Sequence, residues 1–191
     1  MGLTQIVAPT TAPVTISEAK QHLRVMRNDE DALIGNLIAS ATRLCETYSG
    51  RQLVSATYAL QLDDFPGGYG IIRLPRTPVQ SVSGLTYVDA DGTTQTLSTD
   101  YYELVTSDTV AMIVLKPGQT WPSVQSDKYG AVTVTFIAGY GAASAVPQAA
   151  KSAIKLLLTT MFNVRDAVGA KLEEHPHVQW LLDSIAVPKV I

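Results

Sequence analysis

Charge is scarce in this chain. Asp, Glu, Lys and Arg make up only 16% of its 191 residues, well under the quarter or so that is usual for a globular protein. A surface that poor in charge must be built of Thr, Ser, Gln and Gly, or be covered by other subunits. The net charge is −3, from 14 basic and 17 acidic residues. That balance excludes the basic footprint of a nucleic-acid binder, and a weakly negative protein repels DNA slightly. Cysteine is nearly absent too. Cys45 stands alone, so no intrachain disulfide can form and a reducing compartment fits. Long apolar runs are missing, which excludes a spanning helix. The opening MGLTQIVAPTTAP has no basic stretch ahead of an apolar one, as a signal peptide would. Position 6 holds Ile, not the Ser or Thr of a myristoylation site. The protein is expected to be soluble and cytoplasmic.

Recognisable chemistry is missing as well. Ser17, Ser40 and Ser55 lack the G-x-S-x-G setting of a nucleophile elbow. Gly67-Gly68-Tyr69-Gly70 runs on into a strand, whereas a phosphate loop needs a helix N-terminus behind it. It reads as a mobile loop tip. Asp63 and Asp64 are neighbours at a strand end, so they point to opposite faces and cannot oppose each other across a cleft. His175 and His177 flank Pro176, with no further donor nearby to complete a metal site. Cys45 falls on an apolar helical stripe and reads as a buried thiol. No catalytic, metal or cofactor residue is expected, and a hydrolase is a poor reading.

What is present is a clear order of elements. Residues 1–12 are Thr-, Ala- and Pro-rich and read as a flexible arm. Thr15 and Glu18 form a capping box, followed by a helix to about Val25 on Ile16, Ala19 and Leu23. Asn28 or Asp29 then caps a helix over about 29–49, with Asp29, Glu30 and Asp31 at its positive end. Its stripe is Leu33, Ile34, Leu37, Ile38, Ala41, Leu44, Cys45 and Tyr48, and Gly50 closes it. From 53 to 137 the pattern alternates. Strands are expected over 58–62, 71–74, 82–88, 93–97, 101–105, 110–115 and 131–137, with Asp89-Ala90-Asp91-Gly92 as a hairpin loop. Pro147 opens another helix, striped by Ala149, Ala150, Ala153, Ile154, Leu157, Leu158, Met161 and Phe162, and Gly169 breaks it. Pro176 starts a last short helix on Val178, Leu181, Leu182 and Ile185.

The expected class is α+β. Helix pairs over 13–51 and 144–186 form one bundle, and an antiparallel β-sandwich or barrel over 52–141 is inserted between them, with a tail at 187–191. Candidate contact residues follow from the C-terminal half. Lys151, Lys155 and Arg165 put a basic stripe on the third helix, which is either a solvated face, the commoner meaning, or a partner contact. The two lysines near its positive end are mildly unfavourable unless an acidic surface repays them. Trp180 is either core or an interface anchor. Val187, Pro188, Lys189, Val190 and Ile191 form an apolar tail that is either disordered or docked on another chain.

Several stretches carry a resemblance. They are Pro13 to Lys20 with Leu23-Arg24-Val25; Asp29 to Ile34; Tyr48-Ser49-Gly50-Arg51; Leu74 to Val79 with Ser81-Val82; Tyr87 to Gly92; Thr135 to Gly141 with Val146-Pro147; and Phe162, Arg165 and Asp166. In this order the chain resembles the head–tail connector (adaptor) proteins of long-tailed bacteriophages, in the long form with a β insertion. Residues 63–72 and 167–191 depart from that pattern. The resemblance implies a homo-oligomeric ring, usually of twelve, docked beneath the portal protein. The bundle would form the ring wall and a C-terminal segment would grip the portal. The ring would extend the channel for double-stranded DNA without sequence-specific binding, and present a surface to a tail-side stopper or tail-completion protein. It implies no catalytic residue, cofactor or membrane, with assembly in the host cytoplasm and a final place in the virion neck. The rival reading is a glycan- or protein-binding β-sandwich on a helical base, which needs aromatics such as Tyr58, Tyr87 and Tyr101 on one exposed strand face.

Overall fold

A computed structural model describes residues 1–68, 70–107, 109–163 and 176–187. The described chain is α+β, with four α-helices and two antiparallel sheets. It divides into a β unit, residues 1–8 with 55–139, and a helical unit, residues 9–54 with the described part of 140–191.

In the helical unit, α1 spans Ile16–Leu23 and α2 spans Asp31–Ser49. The capping box at α1 is complete. The Glu18 N–H donates to Thr15 Oγ1 at 3.2 Å, and the Thr15 N–H donates to Glu18 Oε2 at 2.8 Å. These bonds hold the Glu18 carboxyl below its ordinary value of 4.5. The sign follows from linkage: a depressed folded pKa stabilises above the ordinary value and is lost as pH falls through the folded one. Thr15→Ala should therefore cost about 1 kcal/mol. Glu18→Gln should flatten the stability–pH curve below pH 4.5, read by urea melts at stepped pH. A Glu18→Gln curve as steep as wild type would remove the carboxylate from this role.

α1 ends at Leu23, two residues short of the expected end, where Arg24 turns left-handed at φ 58°. α2 starts at Asp31, not 29, with Glu30 at its N-cap and no side-chain cap. The two predicted caps are engaged elsewhere. Asn28 Oδ1 accepts from Lys20 Nζ at 2.5 Å, and Asp29 lies 3.8 Å from Arg27 Nε. Asp31 does serve the helix's positive end, and it also pairs with Lys20 at 2.7 Å. Gly50 closes α2 at φ 71°, a conformation that glycine adopts without strain.

α3 spans Gln148–Asn163 and α4 spans Pro176–Asp183. The core takes Ile34, Ile38, Ala41 and Cys45 from α2, Ala150, Ala153, Ile154, Leu157 and Leu158 from α3, and Val178 and Leu182 from α4. The predicted α2 stripe is thus split. Its Leu33 and Leu44 side chains stay exposed, one helical position off the buried row. Gly169 lies outside the described residues.

In the β unit, β1 (Gly2–Val7), β2 (Ala56–Leu62), β8 (Val132–Ala138), β4 (Val79–Val88) and β5 (Thr94–Thr96) form one sheet in that order. β3 (Ile72–Arg73), β7 (Ala111–Leu115) and β6 (Tyr102–Thr106) form the other. β8 reads VTVTFIA and buries every second residue, the signature of one covered face. Phe136 stands opposite Tyr58 on β2 and Val82 on β4. The second sheet supplies Ile72, Tyr102, Ala111 and Ile113 to the same core. The 89–92 hairpin forms as expected. Asp89 Oδ1 accepts from the Thr93 N–H at 2.9 Å and the Asp91 N–H at 3.1 Å, and Gly92 takes φ 83°.

The expected flexible arm over 1–12 needs correction, because residues 2–7 are β1. It pairs with β2 from Gly2 opposite Gln61 to Val7 opposite Thr57, with a bulge at Ile6. Only Leu3 is even half-buried. The strand is held by backbone bonds and not by an apolar face, so no alternation marked it in the sequence.

Candidate functional site

The candidate residues gather on α3, α4 and the segment after it. Arg165, Pro188, Lys189, Val190 and Ile191 lie outside the described residues, as do His175 and Asp166. Lys151 and Lys155 are half-buried on α3. They act on Glu18 of α1: after the Thr15 hydrogen bonds, their ammonium groups also pull its carboxyl down. The charge that repays two lysines near a helix's positive end thus lies within the chain. Trp180 is 78% exposed. It lies between Val178 and Leu182, which are buried four positions apart, so it occupies the opposite face of α4. A core role for Trp180 is excluded, which leaves an indole on the surface.

α4 and the segment after it are fastened to the end of α2. Tyr48 donates its hydroxyl to Asp183 Oδ1 at 2.8 Å, and this bond raises the Tyr48 pKa and keeps the phenol protonated. The Val187 N–H donates to Ser49 O at 2.9 Å. Arg51 is 2% exposed. Its Nε donates to Ile185 O, and its guanidinium carbon lies 5.9 Å from the centre of the Tyr140 ring. Beside it, Glu46 Oε1 accepts from Gln52 Nε2 at 2.7 Å and from the Leu53 N–H at 3.0 Å. Sequence reasoning missed Glu46 and Gln52 here and saw Arg51 and Tyr140 only as parts of motifs. The available signal was a helix-ending Gly50 followed at once by two long polar side chains.

The remaining candidates lie elsewhere. Asp63 Oδ1 accepts from the Gly130 N–H at 2.8 Å, and Asp64 Oδ1 from the Phe65 N–H at 2.7 Å. The 67–70 loop closes on a Gly70 N–H to Gly67 O bond of 3.1 Å, and Trp121 Nε1 donates to Gly70 O. Phe65 and Trp121 stack at 4.8 Å beside an open groove of about 900 Å³ lined by 63–68 and 119–129. His177 is exposed, and among the described residues no three His, Cys, Asp or Glu side chains gather as metal ligands. Cys45 is fully buried and burial pushes its thiol up to about 12. Maleimide should leave it unlabelled in native buffer and label it fully in urea; native labelling at the rate of a free thiol would contradict that burial.

The aromatic face required by the rival reading is not assembled. Tyr58 is buried and stacks on Phe136 at 5.7 Å, Tyr87 meets Phe65 edge-on at 5.7 Å, and Tyr101 alone is exposed. No described helix is long and apolar enough to cross a membrane. Arg51, Gln52 and Glu46 are buried and bonded within the fold, and the exposed apolar side chains include Trp180, Ile6, Val7 and Val105.

Comparison with known proteins identifies the family. Residues 13–107 match the family described as phage gp6-like head-tail connector protein. A solved chain from the "Virion of native gene transfer agent (GTA) particle" is similar at 25% identity and a TM-score of 0.83, covering 100% of this chain and 98% of its own. A chain from the "Neck of native GTA particle computed with C12 symmetry" is similar at 24% identity and a TM-score of 0.82, and one from the "Neck of empty GTA particle computed with C6 symmetry" at 24% and 0.83. Both also cover 100% of this chain and 98% of theirs. No curated protein matches. The chain belongs to the phage head–tail connector family, and its role is that of a structural neck, or adaptor, protein.

Proposed function

We propose that the chain forms a homo-oligomeric ring, dodecameric, beneath a portal protein. The ring extends the channel through which double-stranded DNA passes without base-specific contact. Its far side receives a tail-side stopper or tail-completion protein. It assembles in the host cytoplasm and performs no catalysis. The observation that carries this reading is likeness over the whole chain, not over a shared module: a TM-score of 0.83 across 100% of this chain to a chain of a phage-like virion. The twelvefold symmetry named for the related neck supports the subunit count. The low charge supports a surface covered by neighbours, and the net −3 supports passage of DNA without capture.

Portal contact is assigned to Lys151, Lys155, Arg165, Trp180 and the 187–191 tail. Trp180 supports this because an indole left 78% exposed is a typical interface anchor. Negative-stain imaging of the protein, alone and with its cognate portal, tests the whole reading. Coaxial rings are expected with the portal. Particles that stay single with the portal present would refute it. A chain ending at Val187 should keep its melting temperature, because Val187 still bonds Ser49, yet lose portal binding at least tenfold. Undiminished binding would remove the tail from the contact.

A further inference from the structure

A sheet edge left open in a single subunit is a template for another strand. Natural monomers defend such edges by keeping them short, by charge or proline, by a bulge, or by a cover. Among the described residues the β unit has four edges, two per sheet. Two end in short strands, β3 with two residues and β5 with three, and the part of β4 that β5 leaves uncovered is broken by bulges at Gln80 and Ser83. The other two are long. β1 has six residues, GLTQIV, with no charge and no proline. Its one defence is the bulge at Ile6, near its end. Ile6 is 52% and Val7 54% exposed. β6 has five residues, YELVT, with Glu103 as its single charge. Val105 on β6 and Tyr101 just before it are exposed apolar side chains.

We propose that the free edge of β1 in one subunit pairs with the free edge of β6 in the next copy, so that one β1·β6 seam joins each pair of neighbours. This rests on the ring reading above and names the contact within it. The occupant follows from the two edges themselves. They are nearly equal in length, both are almost uncharged, and each carries exposed β-branched residues suited to strand pairing. They also differ from each other and lie on different sheets. A β1·β6 contact is therefore heterologous: every copy gives one edge and receives the other, which is the form of contact that closes into a ring. A β1·β1 contact would be isologous and would stop at a dimer. Main-chain bonds would supply the affinity and Ile6, Val7, Tyr101 and Val105 the apolar cover.

The test uses the full chain assembled with its portal. Ile6→Cys and Val105→Cys are made singly and together, and treated with a series of bismaleimides of increasing span, so that any register of the two strands brings the thiols within reach of one of them. Cys45 is fully buried and stays silent. The double variant is expected to give a covalent ladder that passes dimer and reaches ring size, while each single variant gives none. Rings seen by imaging in the same sample without a ladder would overturn the seam and leave the ring reading standing. A dimer from Ile6→Cys alone would overturn it in favour of β1·β1. No rings at all would refute the ring reading, and the seam with it. As a second measurement, Ile6→Lys should abolish rings without lowering the melting temperature, since Ile6 lies outside the core; rings that persist would overturn the seam.

Discussion

Arg51→Ala should cost the helical unit about 3 kcal/mol, the loss expected when a buried charged donor is removed and its acceptor is left without a partner. Arg51 is 2% exposed, so its aliphatic stem is packed as well as its head, and truncation also leaves a cavity. The Ile185 carbonyl loses its donor and the Tyr140 ring loses its cation. The loss should concentrate where α4 ends, because Ile185 follows directly on that helix. Arg51→Lys keeps a charge but not the planar fork that spans a carbonyl and a ring, so it should recover only part of the loss. Urea melts give the size of the effect. Hydrogen exchange on α4 gives its place, with protection falling there first. A loss under about 1 kcal/mol, or exchange spread evenly over the unit, would show that Arg51 does not fasten α4.

Phe136→Ala should cost about 3–5 kcal/mol in the β unit. Phe136 is fully buried on β8, between β2 and β4. Its removal takes away the stack with Tyr58, 5.7 Å between ring centres at 25°, which adds about 1 kcal/mol to the transfer and cavity terms. A domain has only about 5–15 kcal/mol of stability in all, so the variant should unfold near physiological temperature. Phe136→Leu, which leaves a smaller cavity, should cost less than half as much. Differential scanning calorimetry of the full chain reads both. A Phe136→Ala transition unmoved from wild type would mean that the two-sheet core is not organised around β8.

These two sites illustrate what the sequence makes legible. Phe136 was readable, because VTVTFIA alternates cleanly and alternation is a local signal. The capping box, the 89–92 hairpin and the stripes of α3 and α4 were readable for the same reason: each is closed within a few residues. Arg51 was not, since its acceptor is 134 positions away and no local pattern marks a buried cation. β1 was missed because a strand held by backbone bonds on an exposed edge has no apolar period. The caps of α2 were misread because Lys20 and Arg27 compete for the side chains that seemed free to cap. Trp180 could be settled only by seeing which face of α4 the neighbouring Val178 and Leu182 occupy. The family was legible because its motifs are short and ordered along the chain.

The Tyr140 N–H donates to Leu53 O at 3.0 Å. That single bond means the polypeptide leaves the helical unit and returns to it at one point, so residues 55–139 behave as a cassette. β1 is the exception. It precedes the helices yet belongs to the cassette, so it waits through the synthesis of α1 and α2 before its partner β2 is made. Any exchange of the cassette must therefore replace the first residues of the protein along with its middle.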